Sequence, residues 1–302
     1  MGFDTRLTVI ISAAKKENLS EPQRQFLAGL EDRIRHKGLR ILPESATSDS
    51  LEDRFEKVRQ SHGVIVFACG QWEAGRLYRT QQKSVVFPSE FCHIMSAMAV
   101  TAKRPLLVIR EKSVAERGAF RAGYLPHVVK SPASLKTEWL DDAEFDGEFD
   151  KWIRDVECYR HVFLGYSSKA TDTANAIHRF LSEKLKLRVF DWHDFRVGDS
   201  VWESIERAER LTDFGLFLFM ADDKLVAGNK GEFAPRDNVV YEAGYFAGAK
   251  GRQKSLLVRE EGAKVPTDLG GILYVKLVNR NDISPTETPL REHLKRMLGA
   301  DR

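Results

Sequence analysis

Gly63-Val64-Ile65-Val66-Phe67 and Gly215-Leu216-Phe217-Leu218-Phe219 are two short apolar runs that each begin at a glycine. An unbroken apolar run of this length reads as a strand covered on both faces, the centre of a parallel sheet. The two runs start 152 residues apart, from 215 − 63. Their neighbours keep nearly the same distance. Leu106-Leu107-Val108 and Leu256-Leu257-Val258 differ by 150, from 256 − 106. Before each central run comes the same order of elements. An apolar strand (7–12; 161–166) leads to a helical stretch with apolar residues at Phe26, Leu27, Leu30 and Ile34, or at Ile177, Leu181 and Leu185. A second short strand and a second helix follow (39–42 and 51–58; 187–190 and 201–211). Strands that alternate with helices form a parallel sheet with helices on both faces. The chain therefore reads as an α/β protein of two tandem flavodoxin-like domains, each with about five strands. The expected boundaries are 1–138 and 159–302. Between them, 139–158 is an acidic stretch with Gly147 in its middle, read as a solvated linker, although Trp152 and Ile153 also fit the start of a short packed helix.

The rest of the composition excludes more than it identifies. Lys and Arg number 47 against 44 Asp and Glu, too even for a nucleic-acid surface, so no direct nucleic-acid partner is expected. Cys69, Cys92 and Cys158 form no Cys-x-x-Cys or Cys/His cluster, which argues against zinc. Three dispersed cysteines fit a reducing cytoplasm. The N-terminal residues lack the apolar core of a signal peptide, and no run approaches a membrane span, so no membrane contact is expected.

Chemistry-bearing residues gather in the second half. Pro235-Arg236-Asp237-Asn238-Val239-Val240-Tyr241-Glu242-Ala243-Gly244 opens a helix. Asp237 or Asn238 is placed to cap it. Gly244 and Gly248 each cost roughly 1 kcal/mol against alanine inside a helix, which points to another backbone packed close by. Asn238 and Glu242 are four apart and share one helix face. They form a polar site, or else an ordinary cap and a helix-start carboxylate. The loop Asp191-Trp192-His193-Asp194-Phe195-Arg196-Val197-Gly198 carries two aromatics that fit either stacking on a flat ligand ring or packing beneath the loop. Asp222-Asp223 ends the central strand, and strand ending explains it better than metal binding. Ser168, Trp192, Asp222 and Asn238 all follow strand ends and should converge on one rim of the sheet.

Residues 160–280 resemble the bacterial Toll/interleukin-1 receptor (TIR)-like domains that serve as nucleotide-binding effector modules in antiphage signalling. The resemblance rests on the opening strand with its serines, the Trp192, Phe195 and Gly198 loop, and Arg236-Asp237-Asn238-Val239 followed by Glu242 and Gly244. The trailing Val265-Pro266-Thr267-Asp268-Leu269-Gly270-Gly271-Ile272 adds to it. It implies cleavage of NAD at the nicotinamide–ribose bond. Glu242 matches the catalytic glutamate. Asn238, Trp192 and Phe195, with Ser168, Arg236 and Asp222, match the ligand-contacting region. NAD enters as substrate, and no metal or other cofactor is implied. The resemblance further implies self-association, a nucleotide second messenger as a further partner, and site completion by a neighbouring copy. The chemistry suits a glutamate, because breaking an N-glycosidic bond places positive charge on the ribose carbon.

The first half departs from this pattern. After Leu42 come Pro43-Glu44-Ser45-Ala46-Thr47-Ser48, without the aromatic loop, and Phe87-Pro88-Ser89 precedes Glu90. Glu90 lies 152 residues before Glu242, from 242 − 90, so Glu90 with Ser12 is the candidate second site. Ser89-Glu90 followed by Lys103-Arg104-Pro105-Leu106-Leu107-Val108 also resembles nucleoside 2-deoxyribosyltransferases, which use a glutamate there. The first half is read as a divergent partner or sensor domain. Three functions stand open: an NAD hydrolase, a nucleotide-binding sensor without turnover, and a deoxyribosyltransferase-like enzyme.

Overall fold

A computed structural model describes residues 4–43, 49–75, 84–132, 135–224 and 233–298. The Glu44-Ser45-Ala46-Thr47-Ser48 stretch used above lies outside the described residues. The chain divides into two compact units, residues 6–159 and residues 160–302, the second including residues 1–5.

The N-terminal unit runs β1 (Thr8–Ser12), α1 (Glu21–His36), β2 (Arg40–Ile41), α2 (Leu51–Gln60), β3 (Gly63–Ala68), β4 (Trp72–Gly75), β5 (Ser84–Phe87), α3 (Glu90–Thr101), β6 (Leu106–Glu111), β7 (Val128–Ser131) and α4 (Ala143–Glu157). The C-terminal unit runs β8 (Arg160–Gly165), α5 (Thr171–Arg179), β9 (Val189–Phe190), α6 (Val201–Arg210), β10 (Thr212–Phe219), β11 (Asp223–Lys224), β12 (Phe233–Ala234), α7 (Asp237–Lys250), β13 (Ser255–Glu260), β14 (Tyr274–Leu277) and α8 (Ser284–Leu298). The sheets have the orders β2-β1-β3-β6-β7 and β9-β8-β10-β13-β14, all neighbours parallel. These are one topology, with the two glycine-led runs as the central strands β3 and β10.

Local signals set the boundaries. Ser50 with Asp53 and Ser200 with Glu203 form reciprocal capping boxes at the starts of α2 and α6. Gly38 follows α1 at φ +76°, a conformation side chains resist. Helix α5 stops at Arg179 and continues as one π turn (Phe180–Lys184), so the long helix read across 174–185 is two segments. The hairpins β4–β5 and β11–β12 were not legible from periodicity, because each strand has only two to four residues. Alternate residues of β10 feed opposite faces. Leu216 and Leu218 pack with α5 and α8, whereas Phe217 and Phe219 pack with Phe163 and Phe246.

The acidic linker expected over 139–158 is instead part of the N-terminal unit. Ala143–Glu157 is a helix whose Phe145, Phe149, Trp152, Ile153 and Val156 are all buried. Burying each of these side chains contributes about 1.5–3 kcal/mol, which outweighs the preference of Asp and Glu on its other faces for a solvated chain. The Trp152 indole N–H donates to the Pro105 carbonyl at 3.1 Å.

The sheet registers define which residues correspond between units. Ile11 pairs with Ile65 on β3, and Gly165 pairs with Phe217 on β10, so Gly165 stands where Ile11 does. In α3 the buried positions are Cys92, Met95, Ser96 and Ala99, and in α7 they are Val239, Glu242, Ala243 and Phe246. The offset is 147, from 242 − 95, and it also aligns the two helix starts, from 237 − 90. The sequence alignment of Glu90 with Glu242 is therefore corrected. Glu90 matches Asp237, and Met95 holds the place of Glu242. A loop between strand and helix that is five residues shorter shifts the sequence offset without moving the packed face.

Candidate functional site

Helix α7 begins one residue earlier than a cap at Asp237 requires and two earlier than a cap at Asn238 does. Arg236 is the residue before its first turn, and no side chain caps it. The Asp237 carboxylate accepts the Asn238 backbone N–H at 2.8 Å. Arg236 pairs with Asp223 at 3.5 Å. Asn238 is exposed, while Glu242, one turn further on, is only 8% exposed. The stripe thus runs from an amide in solvent to a carboxylate buried against the sheet.

Close backbone approach exists, but not at the helix glycines. A Cβ at Gly244 would meet Leu269 at an ordinary 3.8 Å, and one at Gly248 would meet nothing within 4 Å. At Gly165, the last residue of β8, a Cβ would fall 2.5 Å from Glu242 Oε2 and 2.6 Å from the Phe217 ring. Only glycine leaves room for the carboxylate there. Among the described residues Oε2 has no hydrogen-bond partner. Burial alone pushes the Glu242 carboxyl up to about 8. An unpaired carboxyl buried at a strand end is costly to keep, and such groups concentrate at functional sites.

The two residues after Gly165 tie in the other candidates. The Tyr166 hydroxyl accepts the Trp192 indole N–H at 2.5 Å. Trp192 remains 53% exposed and stacks on His193 at 3.7 Å between centroids, so its face is accessible to a flat ligand. Asp191 orders this turn by accepting the His193 backbone N–H at 2.8 Å. Phe195 does not join Trp192. It packs inward, its ring 6.3 Å from Phe190, and belongs to the core under the loop. The buried Ser167 hydroxyl donates to Asp222 Oδ2. Ser168 is exposed, and its carbonyl accepts the Thr171 hydroxyl at 2.8 Å. Lys169 bridges the Asp222 carbonyl at 3.0 Å and the Asp223 carboxylate at 2.9 Å.

Gly165, Tyr166 and Ser167 therefore gather Glu242, Trp192 and Asp222 on one rim. None of the three was singled out from sequence. Gly165 carried a readable signal, since glycine inside a strand marks a bulge or a close neighbour. Tyr166 carried none, and Ser167 counted only as one of the serines of the opening strand, because only the fold places them opposite Trp192 and Asp222. Among the described residues, no group of three or more His, Cys, Asp or Glu side chains is placed to hold a metal, and no helix is long and apolar enough to cross a membrane.

Residues 161–279 match the family model described as the CAP12/Pycsar effector protein TIR domain. A CD-NTase-associated protein 12 from Lachnospiraceae bacterium (strain RUG226) is 34% identical over 141 residues, covering 45% of this chain and 44% of that protein. The Pycsar effector protein BcPycTIR of Burkholderia cepacia is 33% identical over 143 residues, 44% of this chain and 47% of that one. The Pycsar effector protein PaPycTIR of Pseudomonas aeruginosa is 30% identical over 131 residues, 42% of each. Each match spans less than half the relative's length. Among solved structures, a sugar ABC transporter from Yersinia enterocolitica aligns at 13% identity with a TM-score of 0.23, over 98% of this chain and 78% of that one.

Proposed function

We propose that the C-terminal unit, whose residues 161–279 are a TIR domain of the CAP12/Pycsar effector type, cleaves NAD at the nicotinamide–ribose bond as an effector of antiphage defence. The observation that carries this reading is the Glu242 carboxyl, buried against Gly165 at the end of β8, with its Oε2 lacking a hydrogen-bond partner among the described residues. Nicotinamide leaves as a neutral amide-bearing ring because its nitrogen is already cationic in NAD, so no strong general acid is needed. The ribose carbon takes up positive charge as the bond breaks. The ionised Glu242 lies ready to stabilise that charge, or to capture the carbon for later release. Water then adds to the same carbon, giving ADP-ribose, nicotinamide and one proton.

Before substrate binds, a carboxyl held near 8 is mostly protonated at neutral pH. A cationic nicotinamide ring entering the rim favours its ionised form, as an opposite charge does at close range. The site is thus armed by the group it acts on. Trp192 offers a ring face, and Asn238 at the mouth offers an amide to the ribose. Val197, Val201, Trp202 and Tyr241 are exposed, and the Trp202 and Tyr241 rings pack 5.4 Å apart between centroids, an apolar surface that suits self-association. The CD-NTase-associated and Pycsar relatives support a nucleotide second messenger as the activating signal.

The test is incubation of the whole chain with NAD, and separately with a deoxynucleoside plus a free base, followed by chromatography. Nicotinamide release supports the proposal. Base exchange would instead favour the deoxyribosyltransferase-like reading, and binding without products a sensor.

A further inference from the structure

The N-terminal unit holds a cavity of about 260 Å³ lined by Ser12, Lys15, Trp72, Glu90, Phe91 and Met95, among others. It lies beyond the carboxyl ends of β1 and β3. In the order β2-β1-β3-β6-β7 the winding reverses between these two strands, and ligands of open α/β sheets bind at that point. The cavity therefore occupies the position that the Glu242 rim occupies in the other unit.

Register shows how its chemistry differs. Gln71 N–H donates to the Phe87 carbonyl and Asp222 N–H to the Ala234 carbonyl, so Gln71 replaces Asp222 and the following Trp72 replaces Asp223. Met95 replaces Glu242, and Ile11 replaces Gly165. Three carboxylate positions have become an amide, an indole and a thioether. Meanwhile Arg54 and Lys57 of α2 join Lys15 in the wall. Arg54 lies 4.7 Å over the Phe91 ring, and Lys57 is oriented by Asp49 at 2.7 Å. Among the described lining residues, three cations face one carboxylate, that of Glu90. Trp72 is 61% exposed and presents a broad aromatic surface.

We propose that this cavity binds a nucleoside monophosphate and does not cleave it. The phosphate meets Lys15, Arg54 and Lys57. The base stacks on Trp72, and Glu90 accepts sugar hydroxyls. A volume just under the ~300–1,000 Å³ of ordinary small-molecule sites fits one base and one phosphate but not a dinucleotide. With Met95 and Ile11 at the floor, no buried carboxylate among the described lining residues is available to stabilise a ribosyl cation, so the ligand is held intact. The inference stands apart from NAD cleavage, because it concerns the other unit.

The experiment is calorimetric titration of the full chain with the four common nucleoside 5′-monophosphates and their 3′,5′-cyclic forms. Inorganic phosphate and the four nucleosides serve as part-ligands. At least one monophosphate should bind saturably at one per chain and be recovered unchanged, while phosphate and nucleosides bind roughly a hundredfold more weakly. Trp72→Ala and Lys15→Glu should each weaken binding roughly tenfold or more. Trp72→Phe should restore most of the affinity, and Glu242→Gln should leave it unaltered. Both Trp72 and Lys15 are exposed, so thermal melts of these variants should match wild type. The proposal fails if no monophosphate saturates below about 1 mM, a weak affinity for a specific site. It fails equally if binding survives Trp72→Ala and Lys15→Glu but is lost in Glu242→Gln, or if the ligand is consumed by the Glu242→Gln protein.

Discussion

The two units share a frame down to details that have no bearing on chemistry. Arg110 in the first donates to the Val114 carbonyl, and Arg259 in the second donates to that of Ala263, each four residues on. The backbone leaving the central strand is pinned by a carboxylate in both, Gly70 N–H to Glu111 at 3.0 Å and Ala221 N–H to Glu260 at 2.9 Å. Against that shared frame, the rims differ at a handful of side chains: Ile11 for Gly165, Gln71 for Asp222, Trp72 for Asp223 and Met95 for Glu242. One rim buries a carboxyl whose Oε2 has no partner among the described residues, and the other encloses an apolar-floored, cationic cavity. A fold of this kind supplies loop positions and strand ends. What a rim can do depends on which side chains occupy them.

The most severe way to break the comparison is Glu242→Gln. It keeps shape and removes the charge, so nicotinamide release should fall by at least about a hundredfold, in line with loss of one strong electrostatic stabiliser. Thermal melts provide the folding control. If Glu90→Gln abolishes turnover and Glu242→Gln does not, the rims are assigned the wrong way round. Gly165→Ala comes next. Its Cβ would sit 2.5 Å from the Glu242 carboxylate, with the Phe217 ring blocking the other side. We expect about a tenfold loss of turnover and about 1–3 kcal/mol of stability from overpacking. Wild-type turnover in Gly165→Ala would show that the close approach does not position Glu242.

The sequence revealed the frame and blurred the rim, and the reason is physical. Apolar runs and cap residues are local signals, so four strands of each sheet, the helix entries at Ser50 and Ser200 and the central position of β3 and β10 were readable, whereas the edge strands β7 and β14 were covered only by the expectation of about five strands per sheet. Asp142-Ala143-Glu144-Phe145 looked like a solvated connector because its acidic residues outnumber the aromatics. The aromatics recur with helical spacing, and that period decided its fate. The glutamates misaligned for a different reason. Loop length between strand and helix varies freely, and only the phase of buried residues along α3 and α7 reveals that Met95, not Glu90, faces the sheet as Glu242 does. Phe195 and Trp192 stand three apart in one loop and were grouped by residue type. Their opposite fates, one packed inside and one left outside, depend on Phe190 and Tyr166, which sequence spacing does not place.

A subtler difference is one of pH. Met95 does not titrate, whereas the Glu242 carboxyl is raised from its ordinary 4.5 to about 8 by burial. A raised folded value means that the folded protein holds this proton more tightly than the unfolded chain. The stabilising share of the neutral carboxyl is complete below about 4.5 and is lost as pH climbs through about 8. Glu242→Gln lacks that dependence. Its melting temperature should therefore gain on wild type steadily between pH 5 and pH 9 or so, and turnover by wild type should rise over the upper part of the same window as the carboxylate forms. A constant difference in melting temperature across that range would mean the carboxyl is ionised throughout.

The smallest expected effect sharpens the contrast between glycines that need to be glycine and those that do not. Gly248 lies inside α7, two residues before its last, and a Cβ there meets nothing within 4 Å. Its backbone is helical, so alanine introduces no strain and removes conformational freedom from the unfolded chain. Glycine is about 0.8–1.0 kcal/mol worse than alanine in a helix interior, and less near an end. Gly248→Ala should therefore stabilise the protein by about 0.5 kcal/mol, while nicotinamide release stays within error of wild type. Chemical denaturation measures the first and the NAD assay the second. If Gly248→Ala destabilises as Gly165→Ala does, then α7 packs against a neighbour at Gly248 in the working assembly. The close-approach reading of the helix glycines would then return through self-association.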